Sequence, residues 1–241
     1  LAPLGYLKTT DVEFTVQDTA KVQKVEMKDD VPKALLIVNK KGEFLDKITL
    51  LDNVKGVVEH LFEYITGSLS DVTFEIYAAE DIKAADGVSP DYYAKDELVA
   101  TVATDANGVA EVSDLPVGKY YVKEEVRKAG YLPNEEVWNV DATYENQNLA
   151  KIELNKEVEN QPTETRITKT DATTGNELEG AKLQVIDKDG NVVEEWVSSK
   201  EEHVIYGLPE GSYTLHEELA PYEDGYVSAS AVSYTHLRAH E

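Results

Sequence analysis

One short stretch limits the fold more than any other, because the chain states it twice. Asp114 to Glu125 reads DLPVGKYYVKEE, and Tyr206 to Glu218 reads YGLPEGSYTLHEE. Each copy has Leu-Pro, a Gly two residues later that opens Gly-x-Tyr, and a Glu four residues past the Tyr. Leu-Pro followed by Gly makes a sharp entry turn. The residues after it alternate: Tyr120, Val122 and Glu124 share one face of a strand, and so do Tyr213, Leu215 and Glu217. Two bulky apolar residues mark that face as the core side. A carboxylate there is costly unless it is paired or protonated, or unless it sits at the strand end and turns to water.

A second motif recurs as well. Ala2-Pro3-x-Gly5-Tyr6-Leu7 returns as Ala129-Gly130-Tyr131-Leu132 and as Ala220-Pro221…Gly225-Tyr226-Val227. Recurrence at a spacing near one hundred residues describes tandem modules. Residues 1–31 read as the closing hairpin of a first module, with strands at Val12 to Asp18 and Lys21 to Asp30. Leu1 is not an initiator methionine, so the chain reads as a piece of a longer one. Residues 32–160 read as a complete second module. It opens with Ala34 to Lys41 and continues with Val72 to Ala78. A hairpin of Glu97 to Thr104 and Val109 to Val112 about the turn Asp105 to Gly108 follows, then the Leu-Pro strand and a closing strand near Ala150 to Asn160.

Between the opening strands, Val54, Val57, Val58, Leu61, Phe62 and Ile65 fit a helical face of period 3.6, although the run is rich in β-branched and aromatic residues. The expectation is a short helix inserted at residues 42–70. Residues 161–231 read as a third module without its last strand. It has an opening strand from Arg166, then a hairpin of Ala181 to Asp187 and Val192 to Val197. Many short strands with Gly and Asn turns imply an all-β chain of tandem immunoglobulin-like β-sandwiches. Val232 to Glu241, VSYTHLRAHE, resembles a translated sequencing adaptor, and residues 232–241 are expected to be a non-native tail. Val232-x-Tyr234-Thr235 nevertheless matches Val12-x-Phe14-Thr15.

The pieces ITKTDATTG…LEGAKLQV, LPEGSYTLHEE, VTFEIYAAEDI, TDANGVAEVSDLPVGKYYVKEE and VENQPT together resemble the collagen-adhesin B-type, prealbumin-like domains of Gram-positive surface adhesins and pilins. The resemblance implies small sandwiches used as stalks. It also implies a spontaneous amide between a first-strand Lys and a last-strand Asn or Asp, promoted by the Glu of the Gly-x-Tyr strand. Carried over by motif, Lys40 and Lys169 are the lysines, Glu124 and Glu217 the promoting acids, Asn160 the acceptor of the second module and Asp29 that of the first. Lys41, Asn155 and Glu125 are the neighbouring alternatives, and alternation favours Glu124 over Glu125. Asp71 stands where the third module has Gly180.

The chemistry suits these groups. A Lys amine attacks only when neutral, burial favours that form, and a nearby carboxyl group can polarise the amide and carry protons to the departing ammonia. The chain has no Cys, so no disulfide can bear tension in its place.

A net charge of -24, from 47 acidic against 23 basic residues, argues against nucleic acid and anionic membrane as partners. No cofactor or metal site is expected. Asp187-x-Asp189-Gly190 lacks the Glu that closes a calcium loop. His60, His203 and His216 are scattered, and Trp138 and Trp196 read as strand residues. The leading expectation is therefore a non-enzymatic structural stalk region, extracellular and displayed on a cell wall. Its partners would be other pilin or surface subunits or host extracellular matrix. The alternatives are a ligand-binding adhesin module for a host protein or glycan, and an accessory module of an extracellular carbohydrate-active enzyme.

Overall fold

The computed structural model describes residues 2–52, 58–220 and 232–234. The described residues form fourteen strands and no helix. They are β1 (Lys33–Asp52), β2 (Val58–Ser68), β3 (Thr73–Ala78), β4 (Leu98–Ala103), β5 (Val109–Pro116), β6 (Gly118–Val126) and β7 (Val137–Ala142). The rest are β8 (Lys151–Asn160), β9 (Glu164–Ile167), β10 (Lys182–Ile186), β11 (Val192–Val197), β12 (His203–Tyr206), β13 (Tyr213–Leu219) and β14 (Val232–Tyr234). The chain divides into two compact units. One holds residues 1–41, 68–127 and 134–159, and the other holds 42–67, 128–133 and 160–241.

In the first unit one sheet runs β4-β3-β6-β7. The facing layer is organised on β1, which pairs antiparallel with β5, Lys33 opposite Pro116 and Asn39 opposite Val109, and also pairs with β8. Period-2 alternation delivers the core: Leu36, Val38, Phe74, Ile76, Tyr120, Val122, Trp138 and Val158 are all buried. Burying each large apolar side chain contributes about 1.5–3 kcal/mol. In the second unit the order β11-β10-β13-β14 repeats that of β4-β3-β6-β7, and β9 pairs with β12 as β1 pairs with β5. Its core is Ala181, Leu183, Val185, Trp196 and Ile205, with Ile167, Leu208, Tyr213 and Leu215 packed against it.

The Leu-Pro motif has a physical use in both copies. The Tyr120 hydroxyl donates to the Pro116 carbonyl (2.6 Å), and the Tyr213 hydroxyl donates to that of Pro209 (2.9 Å). Each Tyr thereby ties its strand back to the turn that launches it.

Four expectations are corrected. First, the described residues of the 42–70 stretch are not helical: β1 runs on through Asp52 and pairs with β2 (Val58–Ser68). β-Branched residues lose side-chain freedom in a helix and suit a pleated ladder, and β1 supplies the ladder partner. Second, β4 and β5 are not a hairpin. β4 pairs with β3 and β5 with β1, so the turn between them crosses from one sheet to the other. Third, Val12 to Asp30 forms no strand. Val16, Val22 and Met27 stand exposed, and a two-stranded hairpin with no sheet to join is marginal in water. Fourth, Val232–Tyr234 is not outside the fold: it is β14, paired with Tyr213–Leu215 of β13. An edge strand with unpaired backbone groups accepts a short complementary run. Residues 235–241 lie outside the described residues.

Candidate crosslinking site

Alternation along β1 puts Lys40 on the face of Ala34, Leu36 and Val38, inside the sandwich. Its backbone is locked from two directions. The Lys40 N–H donates to the Gly108 carbonyl (2.7 Å), and the Lys40 carbonyl accepts from the Leu69 N–H (3.0 Å). Gly108 has φ +72°, and a Cβ there would lie 2.5 Å from the Lys40 oxygen. Only glycine permits that approach. The turn itself is set by the Asp105 carboxylate, which accepts from the Asn107 and Val109 N–H groups. Those bonds hold its carboxyl below the usual carboxylate range, that to Val109 most strongly.

Glu124 arrives from β6, on the face of Tyr120 and Val122. The Lys40 ammonium nitrogen lies 2.9 Å from Glu124 Oε2, and the two side chains are 0% and 2% exposed. The Phe74 ring lies beside the pair, with Lys40 Nζ 6.0 Å from its centroid, and Trp138 packs edge-on against Phe74. Burial pushes the Lys40 amine below its ordinary pKa of 10.5, and the hydrogen bond to Glu124 and the charges of Glu124 and Glu159 offset only part of that. A desolvated ammonium pays for the loss of water unless its proton leaves. Asn160, next to Glu159, ends β8 and is 5% exposed, on the inward face with Ile152 and Val158.

The third module reproduces the geometry. Lys169 Nζ lies 3.1 Å from Glu217 Oε1. The Lys169 carbonyl accepts from the Leu178 N–H (2.6 Å), as that of Lys40 does from Leu69. The hairpin after Lys40 thus grows where the third module has a short loop, and leaves the Lys in register. Asp71 and Gly180 are equivalent too. Asp71 N–H donates to Thr104 O and Gly180 N–H to Ser198 O, and Asp71 adopts φ 63° to do so. The sites differ in cover: the Lys169 side chain is 21% exposed and that of Glu217 4%.

Asp29, the remaining expected acceptor, is exposed and lies on no strand. Its register is nevertheless recorded. The Leu7 N–H of the first Gly-Tyr-Leu turn donates to Asp30 O (2.7 Å), and the Leu132 N–H of the second donates to Gln161 O (2.8 Å). Asp29 and Asn160 each precede the accepting residue.

A family model described as SpaA, a prealbumin-like fold domain, matches residues 64–158 and again 163–235. The chain belongs to the SpaA prealbumin-like family. Its fold resembles the Bacillus anthracis TIE protein at 23% identity and a TM-score of 0.55, over 98% of this chain but only 38% of that protein. Other solved structures found are the shaft pilin SpaA of Lactobacillus rhamnosus GG and a streptococcal ancillary pilin. The first has 18% identity over 84% of this chain and 93% of that one, with a TM-score of 0.35. The second has 21% identity over 94% of this chain and 66% of that one, with a TM-score of 0.34. No curated protein sequence matches the chain.

Within the SpaA frame, sequence reasoning missed the partners that aim Lys40: Gly108, Leu69 and Phe74. Gly108 was visible only as a turn residue, and its approach to Lys40 is long-range. Other residues singled out in the sequence take structural positions. Trp138 and Trp196 are buried. The Asp187 carboxylate accepts from Asp189 N–H, Asn191 N–H and the Asn191 amide, closing its hairpin turn. His203 stacks on Trp196 and lies 3.1 Å from Glu194. His216 is partly exposed on β13, and the side chain of His60 lies outside the described residues.

Proposed function

We propose that this chain is a stalk region of a bacterial cell-surface pilin or adhesin, its second module braced by an amide between Lys40 and Asn160. The observation that carries this reading is the enclosed Lys40–Glu124 pair, at 2.9 Å with both side chains shut off from water. Transfer of a proton from Lys40 to Glu124 leaves a neutral amine beside a neutral acid. Attack on the Asn160 side-chain carbon makes the amide and releases ammonia, with Glu124 donating a hydrogen bond to the carbonyl oxygen and passing the proton on. The groups sit on fixed strands, so each molecule reacts once and no turnover follows.

The reading places the chain outside the cell, among other subunits of the same surface assembly. A force drawn through the second module would enter at β1 and leave at β8. The amide joins those strands directly, and about 120 residues between them are spared the load. Fully extended they would span roughly 430 Å, at about 3.6 Å per residue. Single-molecule stretching tests the function. The unaltered protein should withhold that length at forces that unfold the Asn160→Ala variant, and equal extension in both would refute a tension-bearing role.

A further inference from the structure

Two motifs recur in the chain, the Gly-Tyr-Leu turn and the Leu-Pro turn, and in the second compact unit one copy of each meets the other. Gly130 has φ +86°, and a Cβ there would lie 2.2 Å from the Gly207 oxygen, so only glycine lets the two turns approach so closely. Tyr131, next to Gly130, forms an isolated bridge with Pro162, and Tyr206 ends β12 beside Gly207. These four residues, with Glu43 and Phe44 of β1, surround one cavity of about 220 Å³. All of them belong to that unit.

Three aromatic rings give the cavity its character. Phe44 and Tyr131 meet edge-on, their centroids 6.0 Å apart at 64°, whereas Tyr77 and Tyr121 stack at 11° and cover each other's faces. The Tyr131 hydroxyl donates to the Glu43 carbonyl (2.8 Å), which fixes the ring and occupies its polar end. Tyr206 is 37% exposed, so a ligand from solution can reach that ring. Elsewhere the chain lays its own lysines over such rings: Lys33 over Tyr92, Lys123 over Tyr77 and Tyr121, and Lys156 over Trp138, at 5.0–5.8 Å. Among the described residues that line this cavity there is no Lys or Arg, and its one charged residue is Glu43.

We propose that this cavity binds a small quaternary ammonium cation of the choline type. The binding goes beyond the stalk reading and does not depend on the amide between Lys40 and Asn160. Aromatic rings attract a cation through their quadrupole, within about 6 Å of the centroid. Glu43 and a chain of net charge -24 add a field of the favourable sign, and the same field repels anions. The methyl groups decide between cations. A primary ammonium has three N–H donors to satisfy, and against ring carbon it would give up hydrogen bonds to water. A quaternary ammonium has no N–H to leave unpaired and presents apolar methyl groups to the rings.

The experiment titrates the whole isotope-labelled chain and follows the Gly207 amide by NMR. Choline chloride is the probe, and sodium chloride at equal ionic strength removes general screening. Two further probes separate charge from shape: 3,3-dimethylbutan-1-ol, the neutral carbon analogue of choline, and methylammonium. Choline should give a saturable shift of Gly207, and each of the other two should bind about tenfold more weakly. Tyr206 is partly exposed at a strand end, so Tyr206→Phe and Tyr206→Leu both keep the fold. Tyr206→Phe keeps the ring and should keep choline binding. Tyr206→Leu keeps an apolar wall and should narrow the gap between choline and its neutral analogue. Glu43→Gln should weaken choline severalfold and leave the neutral analogue unchanged. Several results overturn the proposal: no saturable shift with choline, equal binding of choline and the neutral alcohol, methylammonium binding as tightly as choline, or choline binding indifferent to both Tyr206→Leu and Glu43→Gln. The Lys40–Asn160 mass deficit, read on the same samples, reports on the amide independently.

Discussion

Replacing Asn160 by Ala isolates the crosslink, because it removes the acceptor and leaves the Lys40–Glu124 pair in place. Asn160 is 5% exposed and ends a strand, so the truncation opens little surface. About 120 residues separate it from Lys40. On the chain-entropy model, a crosslink closing such a loop removes roughly 16 cal/mol/K from the unfolded ensemble, about 5 kcal/mol at 25 °C. A module of that size loses about 0.25 kcal/mol of stability per degree near its melting point. The variant should then melt roughly 20 °C lower, with the denaturant slope changed because its unfolded state is more open. Two measurements check this. Intact mass should show the unaltered protein short by one ammonia and Asn160→Ala at its full sequence mass, and calorimetry should show the shift in the transition of the second module. A full mass in the folded, unaltered protein would refute the bond. A mass deficit accompanied by a shift under about 5 °C would keep the bond and refute the entropic account of what it does.

Two further predictions follow from the geometry. In Asn160→Ala the Lys40 amine stays uncrosslinked beside Glu124, with a folded pKa below its ordinary 10.5 because of burial. Between those two values the unfolded chain binds more protons, so stability should rise as pH increases toward 10.5 and level off above it. Pairing this variant with Lys40→Met should abolish that rise in thermal melts across the alkaline range, and a rise that survives would assign it to another group. Gly108→Ala puts a Cβ 2.5 Å from the Lys40 carbonyl at φ +72°. The left-handed backbone alone costs about 1–2 kcal/mol. The displaced Lys40 should also slow amide formation, read as a mixed population by intact mass of freshly made protein, and full conversion at the normal rate would show that Gly108 does not aim the lysine.

Much of the site was legible in the chain because burial in a strand has a period of two. Val38 and Lys40, Val122 and Glu124, Val158 and Asn160 each fall on one face by counting alone, and the structure places all of these side chains inward. The repeated Leu-Pro-x-Gly-x-Tyr run could be read as a turn and a strand for a similar reason. Its Tyr bonds to a carbonyl four residues back, so the motif is closed locally in both copies.

Strand partners are not local, and there the tertiary structure decided. Asp105 to Val109 and Asp187 to Asn191 build the same turn, with an Asp carboxylate accepting from the backbone two and four residues on. One turn joins the paired strands β10 and β11, while the other carries the chain from β4 in one sheet to β5 in the other. Val12 to Asp30 alternates as a strand should and forms none, while Val232–Tyr234 becomes one because β13 has an edge to offer. By itself the sequence determined which residues can turn and which face each side chain would take. A ladder forms only where a second strand meets the first in register, and that meeting depends on chain far away.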